Sequence, residues 1–441
     1  MAALLCAEAA QASGHAKHAV VLLVDDFGWA DLEFRAAKLP TPNLDRFRAD
    51  GVTFTNAYSA CPTCSPSRAS LLTGRHPARY RLVRHVSHAP GEWHQWPDDP
   101  AQMPSRNWLP LEETTYAEAL SSVGSRCVFV GKWHLGPEPY FPKHQGFGET
   151  FGVTKEGNPR DYYPPYFPPR TTTYSDVPPE KYLTDRVTDD AIAAISSHDP
   201  SRSLQLTLFW YGVHAPLIGK REHLQSLKST VLQGDELQLA AMTLSIDESV
   251  GRVRAALAAA GIADDTIIVF AGDQGGPLDN APLRGGKHDG AVYEGGSRIP
   301  LIVVWPGDAK PGAERHAPVT TLDIAPTLLD ACGVEAPGPF DGMSLVPLLQ
   351  GDALLPRDEI VLYRSYVDLD AAIRVGDWKL LVSRTGKHEL YCLTEDIGEK
   401  TDLYDARPEV ARDLLGRFRR WEREVGVDDV RVAGAAHLGS Q

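Results

Sequence analysis

The run Ala19-Val20-Val21-Leu22-Leu23-Val24-Asp25-Asp26 decides how the rest of the 441-residue chain is read. Its apolar, β-branched residues follow one another without a polar face, which predicts a short strand buried on both sides. The two carboxylates then fall at the carboxyl end of that strand, where open α/β sheets bind their ligands. Adjacent carboxylates repel, so a cation or a shared proton must compensate them. A turn or N-cap pair is the alternative for two successive aspartates.

The same arrangement recurs along the chain. Thr266–Phe270 is a second buried run and leads to Asp273-Gln274-Gly275-Gly276. Arg126–Val130 leads to Gly131-Lys132-Trp133-His134, and Leu204–Val213 to His214-Ala215-Pro216. Ile299–Trp305 adds one more strand, and Val52–Tyr58 alternates as a strand does. Helical patterns cover 115–123, 237–260 and 320–332, and Thr41-Pro42-Asn43 looks like a Pro-led helix entry. This alternation predicts an α/β fold over residues 18–356: a large, mostly parallel mixed sheet sandwiched by helices. Beyond Pro356 the pattern changes. Ala372–Val382 and Glu389–Leu393 read as antiparallel strands about a turn at Gly386, and Pro408–Val425 as a helix. Residues 357–441 are therefore expected to form a smaller α+β subdomain.

Composition narrows the function. A formal charge of −14 argues against general nucleic-acid binding, which needs a basic face. Six cysteines are too few for a disulfide framework, and Cys61-Pro62-Thr63-Cys64 lacks the second pair of a zinc knuckle. Residues 1–17 are mildly apolar and read as a signal remnant without a basic start. No later run is long and apolar enough to span a membrane.

Asp25, Asp26, Asp273 and Gln274 make an all-oxygen donor set, which suits calcium or magnesium better than zinc or copper. Lys132, His134, His214 and Lys287, with Arg284 and Arg298 nearby, are the partners a multiply oxygenated anion would take. Cys64, in Cys64-Ser65-Pro66-Ser67-Arg68-Ala69-Ser70-Leu71-Leu72-Thr73-Gly74, remains open on this reading. It could be filler, disulfide half, metal ligand, nucleophile or precursor.

That stretch resembles the Cys-x-Pro-Ser-Arg-x-x-x-Leu-Thr-Gly signature of the formylglycine-dependent sulfatases, within the alkaline phosphatase superfamily. Asp25-Asp26-x-Gly28-Trp29, Thr41-Pro-Asn-Leu-Asp45, Gly131-Lys-Trp-His-Leu-Gly136, His214-x-Pro216, Lys287 and Glu294-Gly-Gly-x-Arg-x-Pro300 match the family in order, over roughly residues 18–425. The flavour is similar to arylsulfatase A and N-acetylgalactosamine-sulfatase members. The resemblance implies that a formylglycine-generating enzyme converts Cys64 to an aldehyde, reading Pro66 and Arg68. One hydroxyl of the hydrated aldehyde would take the sulfate and the second would expel it. Asp25, Asp26, Asp273, Gln274 and modified Cys64 would hold calcium or magnesium, with Gln274 standing where many members carry Asn or His. Arg68 would steady this shell, helped by a helix starting near Ser67. Lys132, His214 and Lys287 would grip sulfate, His214 or Lys287 would protonate the leaving oxygen, and His134 would deprotonate the second hydroxyl.

The implied substrate is a sulfated carbohydrate or aryl sulfate. Trp93, His94, Trp96 and the run Tyr162–Phe167 could stack on sugars or anchor their loops. The alternatives are a phosphate or phosphonate monoester hydrolase, or a non-catalytic sulfoglycan-binding protein with unmodified Cys64. A secreted, periplasmic or lysosomal location is implied, and the weak N-terminal signal leaves a cytoplasmic one open.

Overall fold

All seven residues of the central strand, His18–Val24, are buried. Ala19, Val21 and Leu23 enter one core and Val20, Leu22 and Val24 another, as a pleated strand must when both faces are covered. The structure, a computed structural model, describes residues 15–35, 38–87, 93, 103–169, 171, 173–175, 177–288, 290–351, 355–365 and 369–428. Its large sheet has the strand order Ala313–Arg315, Val52–Phe54, Leu301–Val304, Thr266–Gly272, His18–Val24, Leu204–Phe209, Arg126–Gly131, Glu149–Phe151. Leu301–Val304 is antiparallel to both neighbours. The remaining pairs are parallel, so the sheet is mixed and mostly parallel, as expected. Helices Pro42–Asp50, Leu183–Ser196 and Gly234–Ala259 cover one face. Cys64–Thr73, Tyr116–Ser122 and Ile324–Ala331 cover the other.

Several strands are shorter than their apolar runs. Val52–Tyr58 divides between the large sheet and a small one, where Ala57–Tyr58 pairs with Arg298–Ile299 and Val319–Thr320. Ile299–Trp305 divides at Pro300, which has no N–H for the ladder. The 204–213 run leaves the sheet after Phe209 and turns across the central strand, with Asp25 N–H donating to Gly212 O at 2.9 Å and Val213 N–H to Asp25 O at 2.7 Å. Thr320–Cys332 is a short 3-10 turn, Thr321–Asp323, followed by the helix Ile324–Ala331.

The C-terminal sheet is a four-stranded antiparallel meander, Glu359–Tyr363, Leu369–Val375, Trp378–Ser383 and Glu389–Cys392. Gly376, at φ 56°, turns the chain inside what reads as one run, Ala372–Val382. Val361 and Tyr363 face Leu414 and Phe418 of the helix Pro408–Val425, whereas Ile360 and Leu362 face Tyr58, Val292 and Tyr293. One side of this sheet is thus sealed by its own helix and the other lies against the sheet-and-helix sandwich. Among the described residues, no helix is long and apolar enough to cross a membrane. Residues 1–14, His94 and Trp96 lie outside the described residues.

Candidate active site

Four adjacent parallel strands bring the chemistry to one edge of the sheet. His18–Val24 delivers Asp25 and Asp26, Thr266–Gly272 delivers Asp273 and Gln274, Arg126–Gly131 delivers Lys132 and His134, and Leu204–Phe209 leads to His214. Helix Cys64–Thr73 adds Cys64 and Arg68; it begins three residues before the expected Ser67, so Cys64 is its first helical residue. Backbones crowd here in ways only glycine permits. A Cβ on Gly28 would lie 2.5 Å from Gly276 N, and one on Gly275 would lie 2.1 Å from Gly295 O. Asp26, His134 and His288 hold left-handed φ values of 56°, 54° and 70°. Such conformations are unfavourable for non-glycine residues and concentrate at functional sites.

Arg68 is the hub. It is fully buried, as are Asp25, Asp26, Lys132 and Asp273. Its Nη2 lies 3.1 Å from Asp25 Oδ1 and 3.0 Å from Asp273 Oδ2, and Nη1 donates to Lys132 O at 2.9 Å. The Lys132 ammonium is ion-paired with Asp25 rather than turned toward open space. Asp26 N–H donates to Asp273 Oδ1 at 2.9 Å, and Lys287 Nζ lies 2.5 Å from Asp26 Oδ2. Burial would raise the Asp25 carboxyl, but Lys132 and Arg68 hold it well below the usual range. Burial and the Asp25 charge drive Asp273 well above it. The two carboxylates share the Arg68 guanidinium, and Lys132 adds a second positive charge on the Asp25 side only. Gln274 Nε2 is 2.7 Å from Asp26 Oδ1 and 3.0 Å from Cys64 Sγ; rotating the amide by half a turn presents its oxygen instead.

Hydrogen bonding fixes the tautomers of both site histidines. His134 Nε2 faces Val86 O at 3.2 Å, so Nε2 carries the proton. His134 Nδ1 is then a bare lone pair, buried and without a partner among the described residues. His214 Nδ1 faces Ala215 O at 2.6 Å, and Nε2 accepts from Lys287 Nζ at 2.8 Å. Burial lowers both rings, aided by Lys132 at His134 and opposed by Asp26 at His214. Both are neutral. Burial also lifts the Cys64 thiol to about 12, with Lys132 opposing.

A cleft of about 280 Å³ opens over this cluster, lined by Cys64, His134, His214, Gln274 and Lys287. Asp25, Asp26, Asp273 and Lys132 are not among its lining residues. Sequence reasoning missed the other wall residues, notably His85, Asn158, His288 and Arg364. Of the two readings of Tyr162–Phe167, loop anchoring holds. Tyr162, Tyr163, Tyr166 and Phe167 are core residues, and Tyr162 Oη lies 2.7 Å from the carbonyls of Tyr211 and His214. Tyr162 thereby anchors the loop that carries His214, while Tyr163 accepts from Arg221 N–H and Tyr166 donates to Lys181 O. Trp93 remains 48% exposed. Cys61 and Cys64 are both free, with no bond between them.

The family model for sulfatases matches residues 17–334. The chain belongs to the sulfatase family. A model described as N-sulphoglucosamine sulphohydrolase, C-terminal, matches residues 288–421 of this sulfatase. N-acetylgalactosamine-6-sulfatase of Mus musculus is 32% identical, over 82% of this chain and 71% of the relative. Arylsulfatase A of Homo sapiens is 30% identical, over 89% and 78%. Among solved structures, Ps i-CgsB in complex with k-i-k-neocarrahexaose superposes with a TM-score of 0.79 at 26% identity, covering 93% of each chain. The PsFucS1 sulfatase from Pseudoalteromonas sp. shares the fold, with a TM-score of 0.75 at 23% identity over 94% of this chain and 91% of that one. The sulfatase is accordingly an enzyme of sulfate-ester hydrolysis.

Proposed function

We propose that this sulfatase removes sulfate from a sulfated carbohydrate, using a formylglycine made from Cys64 and a divalent cation held by Asp25, Asp26, Asp273 and Gln274. The observation that carries the reading is the meeting of Cys64, at the start of its helix, with three buried carboxylates under a cleft. The donors fit a hard cation, calcium or magnesium, because three carboxylates and a carboxamide, its oxygen presented once the Gln274 amide is turned, offer oxygen ligands. Ligand atoms of Asp25, Cys64 and Asp273 lie within 4.8 Å of one another, as do those of Asp26, Cys64 and His214. Bound there, the cation would neutralise sulfate charge and lower the pKa of a hydroxyl at position 64. A formylglycine-generating enzyme acting on the Cys64–Arg68 motif would supply a hydrated aldehyde, whose paired hydroxyls permit sulfate to be taken up and released. As a cysteine, residue 64 is a poor nucleophile, since the reactive form is the thiolate and burial disfavours it.

The chain's own groups then have these tasks. Arg68 holds Asp25 and Asp273 in register. Lys132, His214 and Lys287 bind sulfate oxygens, Lys132 by exchanging part of its bond to Asp25. The Lys287–His214 pair, already sharing a proton contact at 2.8 Å, supplies the proton to the departing sugar oxygen. His134 Nδ1 is the base for a hydroxyl at position 64, because Val86 occupies its other nitrogen. A carbohydrate is favoured over an aryl sulfate by the sugars in the names of the relatives. The test is the mass of the tryptic peptide ending at Arg68, from protein made alongside an active maturing enzyme. Conversion removes about 18 Da. Turnover of 4-nitrophenyl sulfate should far exceed that of 4-nitrophenyl phosphate. An unmodified Cys64 in turning-over protein, or phosphate preference, overturns the reading.

A further inference from the structure

Between the strand Thr266–Gly272 and the short helix Glu294–Ser297 the chain has no regular element, yet this segment carries both Gln274 and Lys287. Asp273 and Gln274 are placed by the strand they follow. Lys287 is reached only through a loop, and within 277–288 Asn280 and Leu283 alone are buried. The Lys287 ammonium nevertheless meets two partners, Asp26 Oδ2 at 2.5 Å and His214 Nε2 at 2.8 Å. A lysine has a flexible four-carbon stem, so its head stays in one place only if its backbone does.

Asn280 fixes that backbone. It is 2% exposed, and its Nδ2 lies 2.9 Å from Leu278 O, 3.1 Å from Gly285 O and 3.3 Å from Gly276 O. All three partners are acceptors, so the nitrogen and not the oxygen points at them. Gly276 stands just past Gln274, and Gly285 just before Lys287. One carboxamide thus joins the end of the strand that delivers Gln274 to the turn that presents the lysine. Lys287 N–H closes the same junction onto Gly276 O at 3.3 Å. The surroundings fit the amide closely. A Cβ on Gly286 would lie 2.7 Å from Nδ2, and one on Gly295 would lie 3.0 Å from Asn280 Cβ. Asn280 Oδ1 is buried without a partner among the described residues. That is unfavourable for an acceptor, so the side chain is oriented by its donor end alone. Arg284 ties the same loop to the C-terminal sheet, through Tyr391 Oη and Glu399 O at 2.9 Å each. The tie to the strand side is made by Asn280.

We infer that Asn280 is the positioning residue for Lys287: by joining Gly276 and Gly285 through one amide, it holds the ammonium where it can act with His214 on the departing oxygen. This rests on the sulfatase reading above, in which the Lys287–His214 pair supplies that proton. Asn280 is not among the residues that line the cleft, so it acts through the turn.

A misplaced proton donor slows poor leaving groups more than good ones, because a good one departs with little help. The readout is therefore the ratio of kcat/KM for 4-nitrophenyl sulfate to that for phenyl sulfate. In Asn280→Ala, kcat/KM for phenyl sulfate should fall by about a hundredfold, the effect of a misplacement of about 1 Å, and the ratio should rise by about tenfold. Asn280→Asp has the same size but sets an oxygen against three carbonyl oxygens, and should raise the ratio at least as far. Gly286→Ala keeps Asn280 and pushes its amide aside, so it should move the ratio in the same direction; it carries the test if the Asn280 variants do not fold. Lys287→Met should raise the ratio no less than Asn280→Ala does. If folded variants slow both substrates alike, or neither, Asn280 only stabilises the loop and the inference is overturned. A rise in the Asn280 variants that Lys287→Met does not share overturns it too. Unsubstituted protein with confirmed conversion of Cys64 that hydrolyses neither ester would instead count against the underlying sulfatase mechanism.

Discussion

Gly157 shows how a residue without a side chain can set the chemistry of another. A Cβ there would sit 2.5 Å from His134 Nε2 and 2.7 Å from Cε1. The ring would have to swing and give up its bond to Val86 O, releasing the tautomer that leaves Nδ1 bare. Gly157→Ala should therefore lower kcat by about a hundredfold, the lower end of what general acid–base catalysis contributes, with an unchanged melting temperature. An unaltered kcat would remove His134 from the role of base. A second residue-scale prediction concerns Lys379, buried between Glu294 at 2.8 Å and Glu399 at 3.0 Å. Burial, partly offset by Lys379, pushes Glu399 up to about 7, while Lys379 and Arg298 keep Glu294 low. Removing the shared cation strands two buried carboxylates. Lys379→Met should cost about 3–5 kcal/mol in urea unfolding, and adding Glu399→Gln should recover part of the loss.

At the scale of elements, local signals identified some segments well and others poorly, for physical reasons. Thr115 accepts from Glu118 N–H at 3.2 Å, and Thr115 N–H donates to Glu118 Oε2 at 2.8 Å. This capping box marks a helix start in the sequence itself, and 115–123 was read to within a residue of Tyr116–Ser122. Thr115→Ala should cost about 1 kcal/mol, measured as a shift in the urea midpoint. Helix Leu183–Ser196 has no such mark. Tyr182 makes no side-chain cap, and its first two turns carry Thr and Asp, weak helix formers. It is held by packing, with Leu183, Val187 and Ala191 in the same core as Leu239, Met242 and Ile246. Pro300 splits a strand that looked continuous because apolar periodicity is blind to a missing donor.

On the scale of the molecule, the clustering of Asp25, Asp26, Lys132, His134, His214, Asp273 and Gln274 was legible because each stands within a few residues of an apolar strand's end, and parallel strands align their ends; Lys287 reaches the cluster from a loop. Arg364, His288, His85 and Asn158 were not legible. They come from loops and from a second sheet, and only the docking of that sheet brings Arg364 to the cleft. The docking has its own titratable seam. His76 is buried, accepts from Ala78 N–H at 3.2 Å, and meets Trp421 of the C-terminal helix edge-on at 4.8 Å. Burial, with Arg79 assisting and Asp341 opposing, lowers its pKa from 6.5 to about 4. The fold thus favours the neutral ring. Its contribution is whole above about pH 6.5 and falls as pH drops toward 4, because the unfolded chain takes up a proton that the folded one refuses. A shift of this size corresponds to about 3 kcal/mol. Glu399 acts in the opposite sense, since its raised carboxyl makes stability fall as pH rises from 4.5 toward 7. The whole-protein profile mixes the two, so the comparison must be with His76→Asn, which keeps an acceptor for Ala78 and cannot titrate. Urea midpoints at about pH 7 and pH 4.5 should show the variant losing less stability on acidification than the parent. Parallel losses would mean that the seam between the sheets does not feel this proton.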